Sequence, residues 1–273
     1  MTITSLMDDY CPEKRLRGEH GLSMLVEHGG FRVLFDSGQG PAFMENANAL
    51  GVGLGAVDAV VLSHGHYDHS GGLAAFYAAY PGKPLWAGPS WSARKLAADP
   101  AGLIDIGSPV EFPPPGAPEP RVPVDRQELA PGLFVLVAAG EGDPSKLNPR
   151  FRVRAPGTEG SGEPDVFADE LTLVADTAGG LVVLTGCAHR GIVAIVRDAL
   201  ARFPGKPLRA VLGGFHLVKQ SGERRSQTAR ELSALEPGLL RCCHCTTVDG
   251  YAALKAVFGE RASWFHVGSR VEF

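Results

Sequence analysis

Three imidazoles and a carboxylate fall within the seven residues His64-Gly65-His66-Tyr67-Asp68-His69-Ser70, just downstream of the apolar run Ala59-Val60-Val61-Leu62. Crowding such groups behind a buried strand costs roughly a few kcal/mol for every group left without a partner. A transition metal supplies that partner, since Zn²⁺ takes nitrogen and oxygen ligands at about 2.0–2.2 Å. His64 and His66, two positions apart, converge on one ion if the chain is extended there. Asp68 and His69 then turn toward a second ion nearby. Gly65 lets the backbone bend closely around the site. Such a centre lowers the pKa of a bound water from 15.7 toward about 7, and two ions together clamp the attacking and leaving oxygens of a phosphoryl or acyl group.

The elements that must position this cluster can be read along the chain. Leu22 to Glu27, a His28-Gly29-Gly30 turn and Phe31 to Phe35 read as a hairpin. Residues 41–50 predict a short helix, and 56–63 a buried strand that delivers the histidine cluster at its C-terminal end. Residues 73–80 predict a helix stopped by Pro81-Gly82. Leu85 to Gly88 predicts a strand, with a helix around 92–98. The Pro-rich stretch from Phe112 to Pro120 suits neither helix nor central strand and reads as a surface connection. A strand over 133–139 precedes residues 141–164, whose polar, Gly- and Pro-rich sequence reads as a long loop of the kind used as lid or binding loop.

The second half repeats the logic. Leu171 to Asp176 and Leu181 to Thr185 form a hairpin that ends in Gly186-Cys187-Ala188-His189. An amphipathic helix is predicted over 192–203. Arg209 to Leu212 is a buried strand leading to Gly213-Gly214-Phe215-His216-Leu217. A helix over 226–235 follows, then Leu239 to Arg241, the segment Cys242-Cys243-His244-Cys245, and a helix over 251–258. Strand after strand ends in a histidine, as an open α/β architecture requires if it gathers ligands at one edge of its sheets.

Composition fits a globular enzyme. The chain has 273 residues, 44% of them hydrophobic and 21% charged, enough to fill one large α/β core, and the expectation is a single domain over 1–273. A net charge of −4 provides no basic field for nucleic acid. No run has the length of a membrane span, and the N-terminus lacks the regions of a signal peptide. Five cysteines, three of them in Cys242-Cys243-His244-Cys245, are too clustered for a disulfide framework and read as reduced thiols of a cytoplasmic protein.

The His-x-His-x-Asp-His pattern after a hydrophobic strand resembles the metallo-β-lactamase superfamily, as does Asp36-Ser37-Gly38 after Phe31 to Phe35. Several further motifs occur in order: Glu19-His20-Gly21-Leu22-Ser23, Pro164 to Leu171, Thr185 to Ile192, Gly213 to Leu217 and His244-Cys245-Thr246. From about Glu19 onward the set is similar to the dihydropterin-ribofuranosylaminobenzene-phosphate synthase branch of that superfamily. The resemblance implies an α/β, four-layer αββα sandwich and a metal-dependent enzyme connected with pterin condensation. In the branch the last motif usually runs His-Cys-Thr-Gly, whereas Thr247 stands here at the glycine position. A β-branched residue is expected to keep out of the positive-φ conformations that glycine permits.

Within that resemblance the metal shell is filled as follows. No histidine lies between His69 and His189, so His189 is the expected third nitrogen ligand beside His64 and His66. His244 is expected to close a second ion with Asp68 and His69. Cys187 stands where the wider superfamily places a bridging Asp; it is read as a thiolate ligand or as a small buried side chain. His216 is read as a ligand or as a catalytic histidine facing substrate, and Asp68 as a ligand that also orients a water. Asp169 or Glu170 is expected to reach the site from the start of a strand. Asp36 is read as an outer carboxylate that orients a ligating histidine, or as a turn residue. His20, His28 and His266 are read as structural or surface residues, with His20 the exception to watch because it lies in a shared motif.

One or two ions are expected, Zn²⁺ first, with Mn²⁺ or Fe also suited to a mixed His and carboxylate shell. The substrate is expected to be a phosphorylated or ester-like small molecule. Arg150, Arg152 and Arg154 alternate, and if extended they present a row of guanidiniums suited to phosphate or to a solvated edge. Lys219, Arg224 and Arg225 are a second phosphate candidate. The rival from another class is a metal-binding member of the fold without catalysis, serving as a sensor; loss of a ligand would mark it, and the cluster at 64–69 is intact.

Overall fold

In the computed structural model, which describes residues 1–91, 93–109, 112–138 and 147–273, hydrophobic alternation decides the layering. The chain begins with β1 (Thr2–Met7), β2 (Ser23–His28), β3 (Phe31–Phe35), α1 (Ala42–Ala49), β4 (Ala59–Val61), α2 (Tyr67–Ser70), α3 (Leu73–Ala79) and β5 (Leu85–Trp86). The middle adds β6 (Arg94–Asp99), β7 (Gly102–Asp105), β8 (Arg126–Ala130), β9 (Leu133–Val137), β10 (Phe151–Arg154) and β11 (Glu163–Pro164). The rest runs β12 (Leu171–Thr177), β13 (Gly180–Thr185), α4 (Ile192–Arg202), β14 (Leu208–Gly214), α5 (Gly222–Ser233), β15 (Leu239–Cys243), α6 (Thr247–Phe258), β16 (Ala262–Trp264) and β17 (Arg270–Glu272).

Among the described residues these strands form three sheets, ordered β17-β1-β2-β3-β4-β5, β16-β15-β14-β13-β12-β9-β8 and β11-β10-β6-β7. Side chains of successive strand residues point to opposite faces, and the first two sheets use this to bury both. Met24, Val26, Val33 and Phe35 of the first sheet meet Leu171, Leu173, Val182, Leu184, Ala210 and Leu212 of the second in one core. The intervening Leu25, Leu34 and Val60 turn outward against Phe43, Leu73, Phe76 and Tyr77 of α1 and α3. Val174, Val183, Val211 and Leu240 turn the other way, against α4, α5 and α6 through Ile192, Val196, Leu232, Leu254 and Phe258. The result is the expected α/β four-layer αββα sandwich.

Three expectations are corrected. Residues 94–98 belong to strand β6, not to a helix over 92–98; Ser92 lies outside the described residues. Arg, Lys, Leu and Ala favour helix on their own, but β6 pairs antiparallel with both β7 and β10, and the ladder overrides the local preference. The segment 147–164 is not a bare loop, since it carries β10 and β11, paired to each other and to β6; residues 141–146 lie outside the described residues, as does Ala139 at the end of the expected strand over 133–139. The helix expected over 226–235 starts earlier, at Gly222, where Ser221 Oγ accepts from the amide of Arg224 at 3.1 Å, an N-cap. All five cysteines are free.

Candidate metal centre

Strands β13, β14 and β15 run parallel, so the segments after their C-terminal ends, carrying Cys187 and His189, His216, and His244, emerge at one edge. Strand β4 is parallel to β3 and β5 and leads to Ser63 and His64 at the same place. His66 is extended at φ −80° and ψ 152°, and α2 begins just after it. That break lets His64 and His66 share a direction while Asp68 and His69 fold back over one helical turn.

His64, His66 and His189 are buried and offer ring nitrogens that lie within 4.8 Å of one another. His64 Nε2 stands 3.2 Å from His189 Nε2. A tetrahedral centre with bonds of about 2.0–2.1 Å sets neighbouring ligand atoms about 3.3 Å apart, so the spacing matches an edge of such a shell. His64 Nδ1 donates to Ser63 Oγ at 2.9 Å, and Ser63 Oγ in turn donates to Asp36 Oδ2 at 2.6 Å. This leaves the lone pair on His64 Nε2. His66 Nε2 is buried without a partner. Burial pushes the pKa of all three imidazoles well below the ordinary value, so they remain neutral donors at neutral pH.

A second set adjoins the first. His69 Nδ1 donates to Asp36 Oδ2 at 2.7 Å and its Nε2 lies 3.1 Å from Cys187 Sγ. Asp68 Oδ2 lies 3.3 Å from His244 Nε2, 3.3 Å from His20 Nε2 and 3.9 Å from His69 Nε2. Burial would raise the Asp68 pKa, but His69, His20 and His244 together hold it well below the carboxylate range. Burial likewise works against the charge on His244, yet Cys245, Asp68 and Asp9 hold its pKa well above the ordinary value. Close packing of Ser63 and Asp36 beneath the cluster requires Gly186, where a Cβ would fall 2.0 Å from Ser63 Oγ.

Other expected residues fall differently. Asp169 and Glu170 reach the site through backbone amides: Gly65 N donates to Asp169 Oδ2 at 2.9 Å, and His189 N to Glu170 Oε1 at 2.6 Å. Burial raises Glu170 to about 7. Buried Lys95 on β6 pairs with both Asp165 and Asp169. His216 lies 4.2 Å from His189, ring centre to ring centre, with both ring nitrogens unpartnered, which keeps both of its expected roles open. The arginine row divides. Arg150 lines the cleft while its Nε donates to the Ala98 carbonyl at 2.9 Å; Arg152 is bonded to the carbonyls of Ser161 and Gly162, and Arg154 to that of Gly160, away from the cleft lining. In β10 it is Phe151 that turns inward, 5.1 Å from the His189 ring and 5.6 Å from the His216 ring. Arg225 pairs with Asp249 at 2.9 Å, and neither it nor Lys219 or Arg224 lines the cleft. Thr247 does line it, and it adopts φ 62°, contrary to the expectation for a β-branched residue.

Asp8, Asp9, Lys95 and Phe151 were beyond the reach of motif spacing, and His20, Phe167 and Cys245 had only their shared motifs to mark them. Phe167 stacks flat on His189 at 4.1 Å. The cleft lined by Asp9, His20, Asp68, Phe151, His216 and Cys245, among others, measures ≈ 530 Å³. It shares Asp9, His244 and Thr247 with a second, apolar hollow of ≈ 490 Å³ lined by Tyr10, Val248, Tyr251 and Trp264. No described helix is long and apolar enough to cross a membrane.

Comparison with known proteins places the fold in a family. The chain is 28% identical over 99% of its length, and 96% of the relative's, to a Methanocaldococcus jannaschii protein named 7,8-dihydropterin-6-methyl-4-(beta-D-ribofuranosyl)-aminobenzene-5'-phosphate synthase. Among solved structures it resembles Tm1679, described as a metal-dependent hydrolase of the beta-lactamase superfamily, with a TM-score of 0.85 and 31% identity over 100% of this chain and 99% of that one. Zn²⁺-bound PqqB from Methylobacterium extorquens shares the fold at a TM-score of 0.58 and 15% identity, covering 100% of both chains. The sequence profile of the metallo-beta-lactamase superfamily matches residues 16–203, and with the αββα sandwich and the histidines at its strand ends, this chain belongs to that superfamily.

Proposed function

We propose that this chain is a metal-dependent enzyme that acts on a phosphorylated or ester-like small molecule, holding one or two transition-metal ions, Zn²⁺ first, with Mn²⁺ or Fe as the alternatives. The observation that carries the reading is the convergence of His64, His66 and His189 nitrogens, with His64 and His189 in contact at one tetrahedral edge length. Without an ion, His66 Nε2 is left as a buried nitrogen with no partner, an arrangement that costs stability. Asp68, His69, Cys187 and His244 form the second half of the shell. Bound there, an ion supplies a strong nucleophile at neutral pH and charge stabilisation for a transferring phosphoryl or acyl group.

The protein's own groups do the rest. Asp68, held ionised by the imidazoles around it, accepts a hydrogen bond from the attacking group and orients it. His216, unpartnered on both nitrogens in the cleft, is placed to pass a proton to a leaving group. Arg150 at the cleft wall is placed to pair with a phosphate. Phe151 and Phe167 cover His189 and restrict water around it. The apolar hollow beside His244 favours a second reading within the same enzyme class, condensation at a pterin-type substrate with a diphosphate leaving group, in line with the name of the archaeal relative. The intact cluster His64, His66, Asp68 and His69 supports an enzyme over a member that has lost its chemistry.

Elemental analysis of purified protein is expected to find about one to two transition-metal ions per chain, with most of them lost in His66→Ala. Asp68→Asn and His189→Ala are expected to abolish turnover of phosphodiester, lactone or pterin-diphosphate substrates while circular dichroism shows a folded protein. Equal metal in His66→Ala and parent would overturn the metal centre.

A further inference from the structure

Asp9 sits between two histidines. Its Oδ2 accepts from His20 Nδ1 at 2.8 Å and its Oδ1 from His244 Nδ1 at 2.6 Å. These are hydrogen-bond lengths, well short of the roughly 3.3 Å that separates two ligands of one tetrahedral ion. Asp9 is therefore a hydrogen-bond acceptor for both rings and not their co-ligand. With each Nδ1 proton spent on Asp9, the lone pairs of both imidazoles belong to Nε2. Both Nε2 atoms point at one oxygen, Asp68 Oδ2, each at 3.3 Å. Two imidazole nitrogens thus stand one ligand edge from a shared carboxylate oxygen. The two rings lie 4.9 Å apart, tilted by 44°.

His20 is exposed at the cleft mouth, where a surface ion pair with Asp9 would be the ordinary explanation. Its backbone is not placed like that of a surface residue. Gly21 N donates to Asp9 Oδ1 at 3.2 Å and Leu22 N to the Asp68 carbonyl at 3.2 Å. Gly21 has φ 147°, and a Cβ there would meet that same carbonyl at 2.5 Å. Asp8, next to Asp9, accepts from His244 N at 2.7 Å and from the Trp264 indole at 2.7 Å. The segments around residues 8–9, 20–22, 68 and 244 are thus stitched to one another around a single point.

We propose that His20, together with His244, is a ligand of the ion held at Asp68, and that Asp9 sets the tautomer of both histidines for that ion. The assignment rests on the metal-enzyme reading above and adds His20 to its donors, at the exposed mouth of the cleft. The ion at Asp68 is then gripped by Asp68, His20 and His244, with His69 as the further nitrogen at 3.9 Å from Asp68 Oδ2. Losing His20 would open a coordination position without touching His64, His66 or His189.

The test is titration of metal-free parent, His20→Ala, His20→Gln and Asp9→Asn with Co²⁺, read by equilibrium stoichiometry and by the ligand-field absorption of the ion. Parent protein is expected to take up two ions with distinct affinities. Both His20 variants should keep the tighter or His64-centred ion unchanged, bind the other at least about tenfold more weakly, and lose its absorption band. Asp9→Asn is expected to weaken the same ion by about 10–100-fold without removing it. Two ions bound by the His20 variants with parental affinity and spectrum would overturn the assignment and leave the metal-enzyme reading standing. A parent that binds no ion would overturn both. Circular dichroism of each variant separates loss of a ligand from loss of fold.

Discussion

Asp36 and His69 are joined by a 2.7 Å hydrogen bond, Oδ2 to Nδ1, with both side chains fully buried. The other oxygen of Asp36 accepts from the amide of Ser63 at 2.7 Å, one residue before His64. A single carboxylate therefore fixes the ring of one histidine and the backbone that carries another. Asp36→Ala is expected to lower metal affinity by about 10–100-fold, as loss of an outer partner does in other metal sites. Competition against a chromophoric chelator measures it. Parental affinity in the variant would show that the bond only fills space.

Lys95 lies on β6 of the small sheet, buried against Asp165 and Asp169. Burial pushes its pKa down, but the two carboxylates more than offset this and hold it above the ordinary lysine value. Asp169 also accepts from Gly65 N, so the cation reaches the His64–His66 loop through one carboxylate. Lys95→Met leaves two buried carboxylates without their counter-charge, and a loss of about 3–5 kcal/mol is expected. Urea unfolding reads it; a change below about 1 kcal/mol, the scale of exposed pairs, would show that the triad is solvated.

Thr247 sits at φ 62° and ψ 162°, a region costing a non-glycine residue about 1–3 kcal/mol. Its hydroxyl contact to Gly250 N is long, 3.4 Å, and offsets little of this. Glycine would relieve the strain at a cost of about 0.5–1 kcal/mol in chain entropy. Thr247→Gly is accordingly expected to be more stable by about 1 kcal/mol and to melt higher. A lower melting temperature would mean that contacts of the side chain in the cleft outweigh the strain.

His20 is pushed up to about 9 by Asp68 first and Asp9 second. In metal-free protein the stabilisation from this pairing is complete below pH 6.5, the ordinary histidine value, and is lost as pH rises through about 9. Chelator-treated parent is thus expected to lose more stability between pH 6.5 and 9 than chelator-treated His20→Gln. Parallel urea midpoints for the two proteins across that window would contradict it. Bound metal should flatten the profile, because the ion replaces the proton.

What the chain carries locally was legible from its residues. His64, His66, Asp68 and His69 are close in sequence, so their spacing alone brings them together. Alternation in β2, β3, β12 and β13 set which residues face the central core, because the period of a strand is the period of its pattern. His189, His216 and His244 follow buried strands, and parallel strands bring their ends to one edge. Asp9 and His244 are another matter. They lie 235 positions apart, and nothing in the neighbourhood of either residue encodes the meeting. The same holds for Lys95, whose helix-favouring neighbours became a strand because β10 and β7 supplied hydrogen bonds on both sides. Arg152 and Arg154 were spent on carbonyls of the turn before β11, while Phe151 between them took the inward face. The sequence by itself determined the layers and the His64–His69 cluster, since both depend on short-range period and spacing. The tertiary structure decided which carboxylate orients which histidine, and which side of β10 meets the cleft, since those depend on segments that touch only after the sheets have closed on each other.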